Sequence, residues 1–248
     1  MKKRWVLSFV LLLGVIPAGF ASSMDGVASA ADAPTKQWLQ ISSEIKYYGE
    51  VSNGKPHGRG TMTWSENKKY SGDFVNGKRS GTGTYTNTYV DFETSQLNEV
   101  TYNGSWKNDN MNGEGTERIK VTDNDFDQTP LLDEIRKGTF KDNVLIKGYD
   151  VSHGLYDPDF NFVYKDSTKR LEIWSSNYRL VHTWKSGDLF KVMYNRGSSY
   201  YEYWAFPSDD EYEEKQRRVA LMHLRTFTKE VTPHLNQFEY LSKLVPLR

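Results

Sequence analysis

A pattern of tyrosine and glycine that recurs along the first half of the chain limits the possible folds more than any other feature. Each copy has a tyrosine, a glycine two residues later, an apolar residue two positions after that, a turn, and then Gly-x-Gly-Thr. The second interval between copies is longer than the first because about nine residues are inserted near 90–98. The copies occupy about 47–69, 70–85 and 102–118, with a degraded fourth copy at 136–148. Such a period predicts a repeat array in which neighbouring units bury one another's apolar surface.

Each copy is predicted to form one β-hairpin. Asn53-Gly54 and Asn76-Gly77 are typical two-residue turns, because both positions of such a turn need positive φ. Side chains alternate along a strand, so the tyrosine and the glycines share one face and the other face is polar. We expect the glycines to leave room for the aromatic ring of a neighbouring hairpin. The residues expected to define the repeats are Tyr47, Gly49, Gly54, Gly58, Gly60, Tyr70, Gly72, Gly77, Gly81, Gly83, Tyr102, Gly104, Gly113 and Gly115.

This pattern resembles the MORN repeat, closely over residues 47–118 and weakly over 136–148. The resemblance implies stacked β-hairpins in an antiparallel meander, which we assign to residues 47–150. It also implies a protein that binds partners, with protein or membrane lipid as the class of ligand.

The remainder of the chain predicts a second meander followed by helices. Residues 151–207 alternate apolar and polar positions, which indicates about four antiparallel strands, one of them over 178–184. Residues 208–248 indicate helices, the first over about 209–231 and the second opening at Thr232-Pro233. We expect the helices to cover one end or the apolar face of the sheet. The predicted fold class is therefore mainly β, a meander of MORN-type hairpins that continues into a second β meander, with C-terminal α-helices.

The N-terminus has the pattern of a secretory signal peptide over residues 1–30. Three basic residues precede an apolar run of about 16 residues, and Ala28-Ser29-Ala30 offers a cleavage site. The run is short for a membrane-spanning helix, and retention as an anchor is the alternative. Residues 31–46 are expected to be a linker. A leader on a chain without cysteine is typical of a bacterial exported protein, so we expect a secreted protein associated with the cell surface.

No pattern in the sequence indicates an enzyme. The five histidines are not at metal-binding spacings, and no nucleophile elbow occurs. Basic and acidic residues balance at 32 each, which argues against nucleic-acid binding. Isolated basic pairs give membrane lipid only weak support. We expect a non-catalytic protein that needs no cofactor.

One acidic loop has part of a calcium-binding pattern. Asp123, Asp125, Asp127 and Glu134 fall at positions 1, 3, 5 and 12 of an EF-hand-type loop. Gln128 stands where that loop requires glycine, and the flanks do not read as helices. A solvated acidic connector is therefore preferred, with calcium as the alternative.

Two functions follow from these patterns. The first is a scaffold that presents a sheet surface to a protein partner, and the second is a cell-wall or glycan-binding module that uses exposed aromatic rings. Phospholipid binding ranks third. The candidate binding residues are Tyr201 and Tyr203, because strand parity places them on one face while Trp204 and Phe206 look like the inward set. The polar face of the repeats is expected to be a poor site, since it has few hot-spot residue types.

Overall fold

The computed structural model describes residues 35–125, 127–156, 158–204 and 209–247. The predicted signal peptide lies outside these residues. The strands are β1 Lys36–Gln40, β2 Lys46–Ser52, β3 Lys55–Ser65, β4 Lys68–Val75, β5 Lys78–Asp91, β6 Gln96–Lys107, β7 Asn110–Asp123, β8 Pro130–Lys141, β9 Val144–Gly154, β10 Phe160–Lys165, β11 Lys169–Ser175, β12 Lys191–Arg196 and β13 Ser199–Trp204. The helices are α1 Leu180–Ser186, α2 Glu211–Arg225 and α3 Thr228–Ser242.

All thirteen strands form one antiparallel sheet in which each strand pairs with its neighbours in the sequence. This order confirms the predicted fold class, a continuous meander with C-terminal helices. The segment 31–46 is not simply a linker, because β1 lies within it and pairs with β2. The predicted hairpin turns are also confirmed, since Asn53, Gly54, Asn76 and Gly77 all have positive φ.

Three repeat tyrosines fill the space that the paired glycines leave. A Cβ atom on Gly60 would overlap the ring of Tyr47, as one on Gly83 would overlap the ring of Tyr70. The Tyr47 hydroxyl donates to the Glu50 carbonyl oxygen at 2.6 Å, and burial raises the pKa of Tyr47 to about 12. The covering ring therefore comes from the same hairpin as the glycines, whereas a neighbouring hairpin was expected.

Neighbouring hairpins are joined by edge-to-face ring contacts on this side of the sheet, which we call the tyrosine face. The Phe74 ring contacts both Tyr47 and Tyr70, each with ring centroids 5.1 Å apart. Trp106 joins Tyr70 to Tyr102 in the same way, at 5.3 and 5.1 Å. Such pairs contribute roughly 0.5–1.5 kcal/mol beyond burial. The rings thus bury one another, and no helix of the described residues covers them.

The prediction was wrong for one glycine of each return strand: Gly58, Gly81 and Gly113 do not lie beneath a ring. A Cβ on Gly81 would instead meet the Asp73 carboxylate, 2.5 Å from Oδ2. The β4–β5 register shifts between Gly72 and Asp73, which breaks the strict alternation used for the prediction. Gly81 has a φ of 61°, a left-handed backbone conformation that glycine adopts more readily than other residues, and this accounts for glycine at the position.

The second half of the sheet buries its apolar side chains on the opposite side, which we call the threonine face. Helix α3 packs there, where Phe238 contacts Tyr149 and Phe162 with ring centroids 5.5 and 5.4 Å apart. Val151, Ile173 and Val192 belong to the same buried cluster. The helices therefore leave the apolar face of the repeats uncovered.

The helical segments differ from their predicted bounds. Residues 180–186, predicted as strand, form α1, since Leu180, Thr183 and Trp184 are buried at helical spacing. The helix predicted over 209–231 ends at Arg225, and α3 begins at Thr228, before Pro233. Only one side of α2 is buried, through Leu221 and Leu224. Within the described residues, no helix is both long and apolar enough to cross a membrane.

A cluster of charged side chains lies on the tyrosine face, at the point where the sheet switches the face on which its apolar side chains are buried. Arg136 stands at the tyrosine position of the degraded fourth repeat and lies 2.6 Å from Glu134, 3.3 Å from Glu117 and 3.5 Å from Asp150. Burial and the neighbouring Glu134 raise the pKa of Asp150 to about 7. Three carboxylates therefore share one guanidinium at this junction.

Candidate functional site

An open groove runs across the threonine face of the repeats. It has a volume of about 560 Å³ and is lined by glycine backbone, hydroxyl side chains and a few larger polar residues. The lining residues are Lys36, Tyr48, Gly49, Arg59, Gly60, Thr61, Ser71, Gly72, Thr82, Gly83, Thr84 and Asn103. Because Thr and Ser are short, the groove is shallow along its middle and hydrogen-bonding along its walls.

The groove floor is formed by the first four members of a row of glycines that pair across successive strands. The row contains Gly49, Gly60, Gly72, Gly83, Gly104, Gly115, Gly138 and Gly148. Strands lie about 4.8 Å apart, so seven intervals extend the row over roughly 34 Å. The tyrosines occupy its other side, and the glycines between the buried Gly49 and Gly148 at its two ends are partly exposed.

One end of the groove carries exposed aromatic rings. Trp38 on β1 lies beside Tyr48 on β2, with ring centroids 4.9 Å apart. Their exposed fractions are 70% and 43%, so both rings are open to solvent. Arg59 lies nearby, with its Nε atom 3.4 Å from Asp73 Oδ1. Trp, Tyr and Arg are the residue types most often found as binding hot spots.

Asp73 orders the middle of the groove wall. Its Oδ2 atom accepts hydrogen bonds from the Thr82 backbone N–H at 2.8 Å and the Thr82 hydroxyl at 3.2 Å. Across the strands, the Thr61 and Ser71 hydroxyls lie 2.9 Å apart. These bonds hold the short polar side chains in fixed orientations.

The other end of the glycine row meets helix α3. A second concavity of about 400 Å³ there includes Lys137, Lys147, Tyr149 and Gln237. The Tyr149 hydroxyl lies 2.9 Å from His234 Nδ1, and burial lowers the pKa of His234. The helix therefore forms a fixed wall at this end.

Tyr201 and Tyr203 do not form an exposed pair, so that prediction was wrong. Tyr203 is buried, with 4% of its surface exposed. Tyr201 is half-buried against His223 and Phe227, with ring centroids 5.0 and 4.8 Å apart. Both tyrosines lie on the face that α2 covers, and Tyr200 on the other face is exposed. These rings belong to the core.

The four candidate calcium ligands are not brought together. Glu134 lies on β8, where its carboxylate accepts a hydrogen bond from Arg136 at 2.6 Å. Asp123 ends β7, and Asp125 and Asp127 follow in the loop. Across the described residues, no group of three or more His, Asp or Glu side chains is arranged to hold a metal ion.

The sequence reasoning missed Trp38 and underrated the polar face. A five-residue strand is a weak signal, and the segment before the first repeat had been assigned as a linker. Pairing of Trp38 with Tyr48 supplies hot-spot residue types that were predicted to be few on the threonine face. The strand-favouring Trp38 was the available signal.

The MORN repeat family model matches the chain at residues 47–68, 70–88 and 102–119. These segments coincide with the three repeats described above, and the degraded copy at 136–148 lies outside them. The chain therefore carries three MORN repeats over these segments. MORN repeats generally mediate protein or membrane-lipid interactions as non-catalytic scaffolds. No curated protein matches the chain.

Proposed function

We propose that the protein is an exported, non-catalytic scaffold that binds a partner protein through the groove on the threonine face. The observation that carries this proposal is the exposed Trp38–Tyr48 pair beside Arg59 at the end of a hydroxyl-lined groove. A large exposed aromatic pair next to hydrogen-bonding groups is the composition of a binding hot spot.

The occupant is a polypeptide segment that crosses the strands. Strands β2 to β6 each have a partner on both sides, so their backbone groups are already paired and an occupant that lies across them does not pair with them as a further strand. Recognition then depends on the Thr and Ser hydroxyls, Asn103 and the charged ends. The groove crosses β1 to β6, five strand intervals or roughly 24 Å, which has room for a helical partner segment of several turns or an extended stretch.

Glycan binding is the second candidate, favoured by the same aromatic pair. Rings that are exposed at one end of a groove can stack on a sugar, and Thr, Ser and Asn side chains can bond its hydroxyls. The two candidate functions use the same residues, so they are distinguished by whether the immobilised protein retains a protein or a sugar.

A retention experiment with the full chain tests both candidates. Immobilised protein is exposed to cell-wall and culture fractions of its own source, and retained protein and sugar are measured separately. The Trp38→Ala/Tyr48→Ala variant should lose retention of a defined protein by about thirtyfold, as expected for hot-spot residues. Tyr156→Ala/Tyr212→Ala is the matched control, because those rings are 77% and 70% exposed elsewhere on the surface.

Retention of a sugar fraction with the same dependence would favour the glycan candidate. Equal retention by the aromatic variant and the control would contradict the groove as the site. Export is tested separately by the intact mass of the protein from the culture medium. We expect a mature chain that starts near Ala31, and a full-length chain held in the membrane would contradict that expectation.

A further inference from the structure

A basic pocket lies on the helical side of the molecule, away from the repeats. It has a volume of about 460 Å³ and is formed by α1, the residues before it and α3. Its lining residues are Tyr178, Arg179, Val181, His182, Lys185, Glu239 and Lys243. Three permanent cations and one histidine thus face a single carboxylate, in a chain whose total charge is balanced.

Neighbouring cations of this region are paired, but these are not. Lys169 and Arg196 both contact Glu230, and Arg217 contacts Glu214. No described carboxylate lies within ion-pair distance of a basic residue of the pocket: Arg179, His182, Lys185 or Lys243. Their positive charge is therefore available to a ligand.

The single carboxylate of the pocket is already engaged. Glu239 accepts a hydrogen bond from the Val181 backbone N–H at 2.7 Å, close to the start of α1. That bond satisfies a free donor of the first turn and fixes α1 against α3. Glu239 therefore stabilises the wall of the pocket and does not neutralise the pocket's cations.

Helical spacing places the cations of α1 on one side. His182 and Lys185 are three residues apart on α1 and are neighbours on its surface, and Arg179 directly precedes the helix at its N-cap. The opposite side is anchored, because Leu180 and Trp184 are buried and the Trp184 ring N–H donates to the Thr228 hydroxyl at 3.0 Å. Lys243 completes the group from just beyond α3.

We propose that this pocket binds a phosphate monoester group. A guanidinium and two ammonium groups match the dianionic charge and several oxygen acceptors of such a group, and the histidine adds a further donor. Tyr178, which is 40% exposed at the rim, gives an apolar surface for the body of the ester. The pocket lies outside the MORN repeats and its ligand is independent of the groove's partner.

Binding is measured by calorimetry with glycerol phosphate and by flotation with vesicles. The vesicles are phosphatidylcholine alone or phosphatidylcholine with phosphatidic acid, which separates a free phosphate ester from a lipid headgroup as the source. Lys185→Glu/Lys243→Glu should weaken binding at least about tenfold, because each lost charged hydrogen bond costs that much. Lys107→Glu/Lys141→Glu carries the same change of charge on exposed repeat residues and should leave binding unchanged.

Loss of binding by the pocket variant alone, in either assay, supports the proposal. Equal loss by both variants would show a general charge effect and overturn it, as would failure of the wild type to bind either probe. Thermal melts accompany each variant. If the pocket variant melts early, Lys185→Ala and Lys243→Ala are assayed singly, and each should still bind less tightly than wild type.

Discussion

The repeat half and the C-terminal half of the sheet bury their apolar side chains on opposite faces. One row of paired residues on the tyrosine face runs from Tyr47, Met62, Tyr70, Tyr85 and Tyr102 into Glu117, Arg136 and Asp150. A row on the threonine face runs from Thr61, Ser71, Thr84, Asn103 and Thr116 through Lys137 into Tyr149, Tyr164 and Leu171. Both rows change character across β7 to β9.

The two halves also differ in what covers the buried face. In the repeats the tyrosine rings lie over the glycines of the same hairpin, so the rings bury this face of the sheet and no layer of helices is needed above it. In the C-terminal half, bulky residues such as Phe162 and Ile173 stand up from the sheet and need α3 above them. Because the helices occupy only the C-terminal part of the threonine face, its repeat part stays open as the groove.

The largest expected effect tests the dependence of the C-terminal half on its helices. Phe238→Ala removes a fully buried ring between α3 and the sheet and should lower the free energy of unfolding by about 3–5 kcal/mol. Urea denaturation followed by tryptophan fluorescence measures the change. Tyr240→Ala, on the exposed side of the same helix, is the control and should cost less than about 1 kcal/mol. Equal costs would contradict the assigned packing.

A smaller effect tests the self-covering of the repeats. Gly83→Ala places a methyl group against the Tyr70 ring and should cost about 1–3 kcal/mol by overpacking. Gly154→Ala is the matched control in the C-terminal half, because its Cβ would have only the Leu131 carbonyl oxygen within 4 Å, at 3.8 Å. That substitution should be neutral or slightly stabilising. Denaturant melts that show equal costs would disprove the ring-over-glycine contact.

The junction between the halves gives a pH-dependent prediction. The pKa of Asp150 is about 7 in the folded chain, above its ordinary value of 3.8, so the native state binds more protons between these values. Its contribution to stability is therefore present at low pH and is lost as the pH rises toward 7. Asp150→Asn should raise the free energy of unfolding at pH 8 by about 1–2 kcal/mol, since loss of the Arg136 contact offsets part of the gain.

Unfolding free energies measured from about pH 4 to pH 8 check this sign. The advantage of the variant should shrink as the pH falls. A constant difference across the range would show that Asp150 does not titrate there. Asp109→Asn, in a half-exposed ion pair with Arg79, serves as the control for a carboxylate of the repeats.

The smallest expected effect tests how each repeat tyrosine is held. Tyr70→Phe removes the hydroxyl that donates to the Asp73 carbonyl at 3.1 Å but keeps the ring over Gly83. We expect a cost of about 1 kcal/mol, the usual net value of such a bond. A thermal melt against wild type measures it. A cost as large as that of Gly83→Ala would mean that the hydroxyl, more than the ring, fixes the hairpin.

The repeat half was predictable because its local signals agree. Asn-Gly turns, tyrosine–glycine spacing and alternation all indicate the same hairpins, and the structure adds mainly the register shifts that reorient Gly81 and its counterparts. The C-terminal half was less predictable, because its strands carry rings on both faces. Which face is inward at Tyr201 depends on where α2 packs, through His223, and that is not encoded in the strand itself.

The candidate sites depended on longer-range pairing. Leu180 and Trp184 fit both the alternation of a strand and the spacing of a helix, so α1 and its row of cations were not recognised. Trp38 becomes part of the groove only because β1 pairs with β2. In both cases a tertiary contact, and not the local sequence, determines the structure.

The meander order, in which chain neighbours are always sheet neighbours, has a consequence for the evolution and folding of this protein. Every ladder closes a short loop, so the sheet has low contact order and can grow one hairpin at a time. A further hairpin can be inserted between two repeats without crossing another connection. Each insertion would lengthen the groove by two strand spacings, about 10 Å, so the reach of the surface can change in fixed steps while its chemistry is kept.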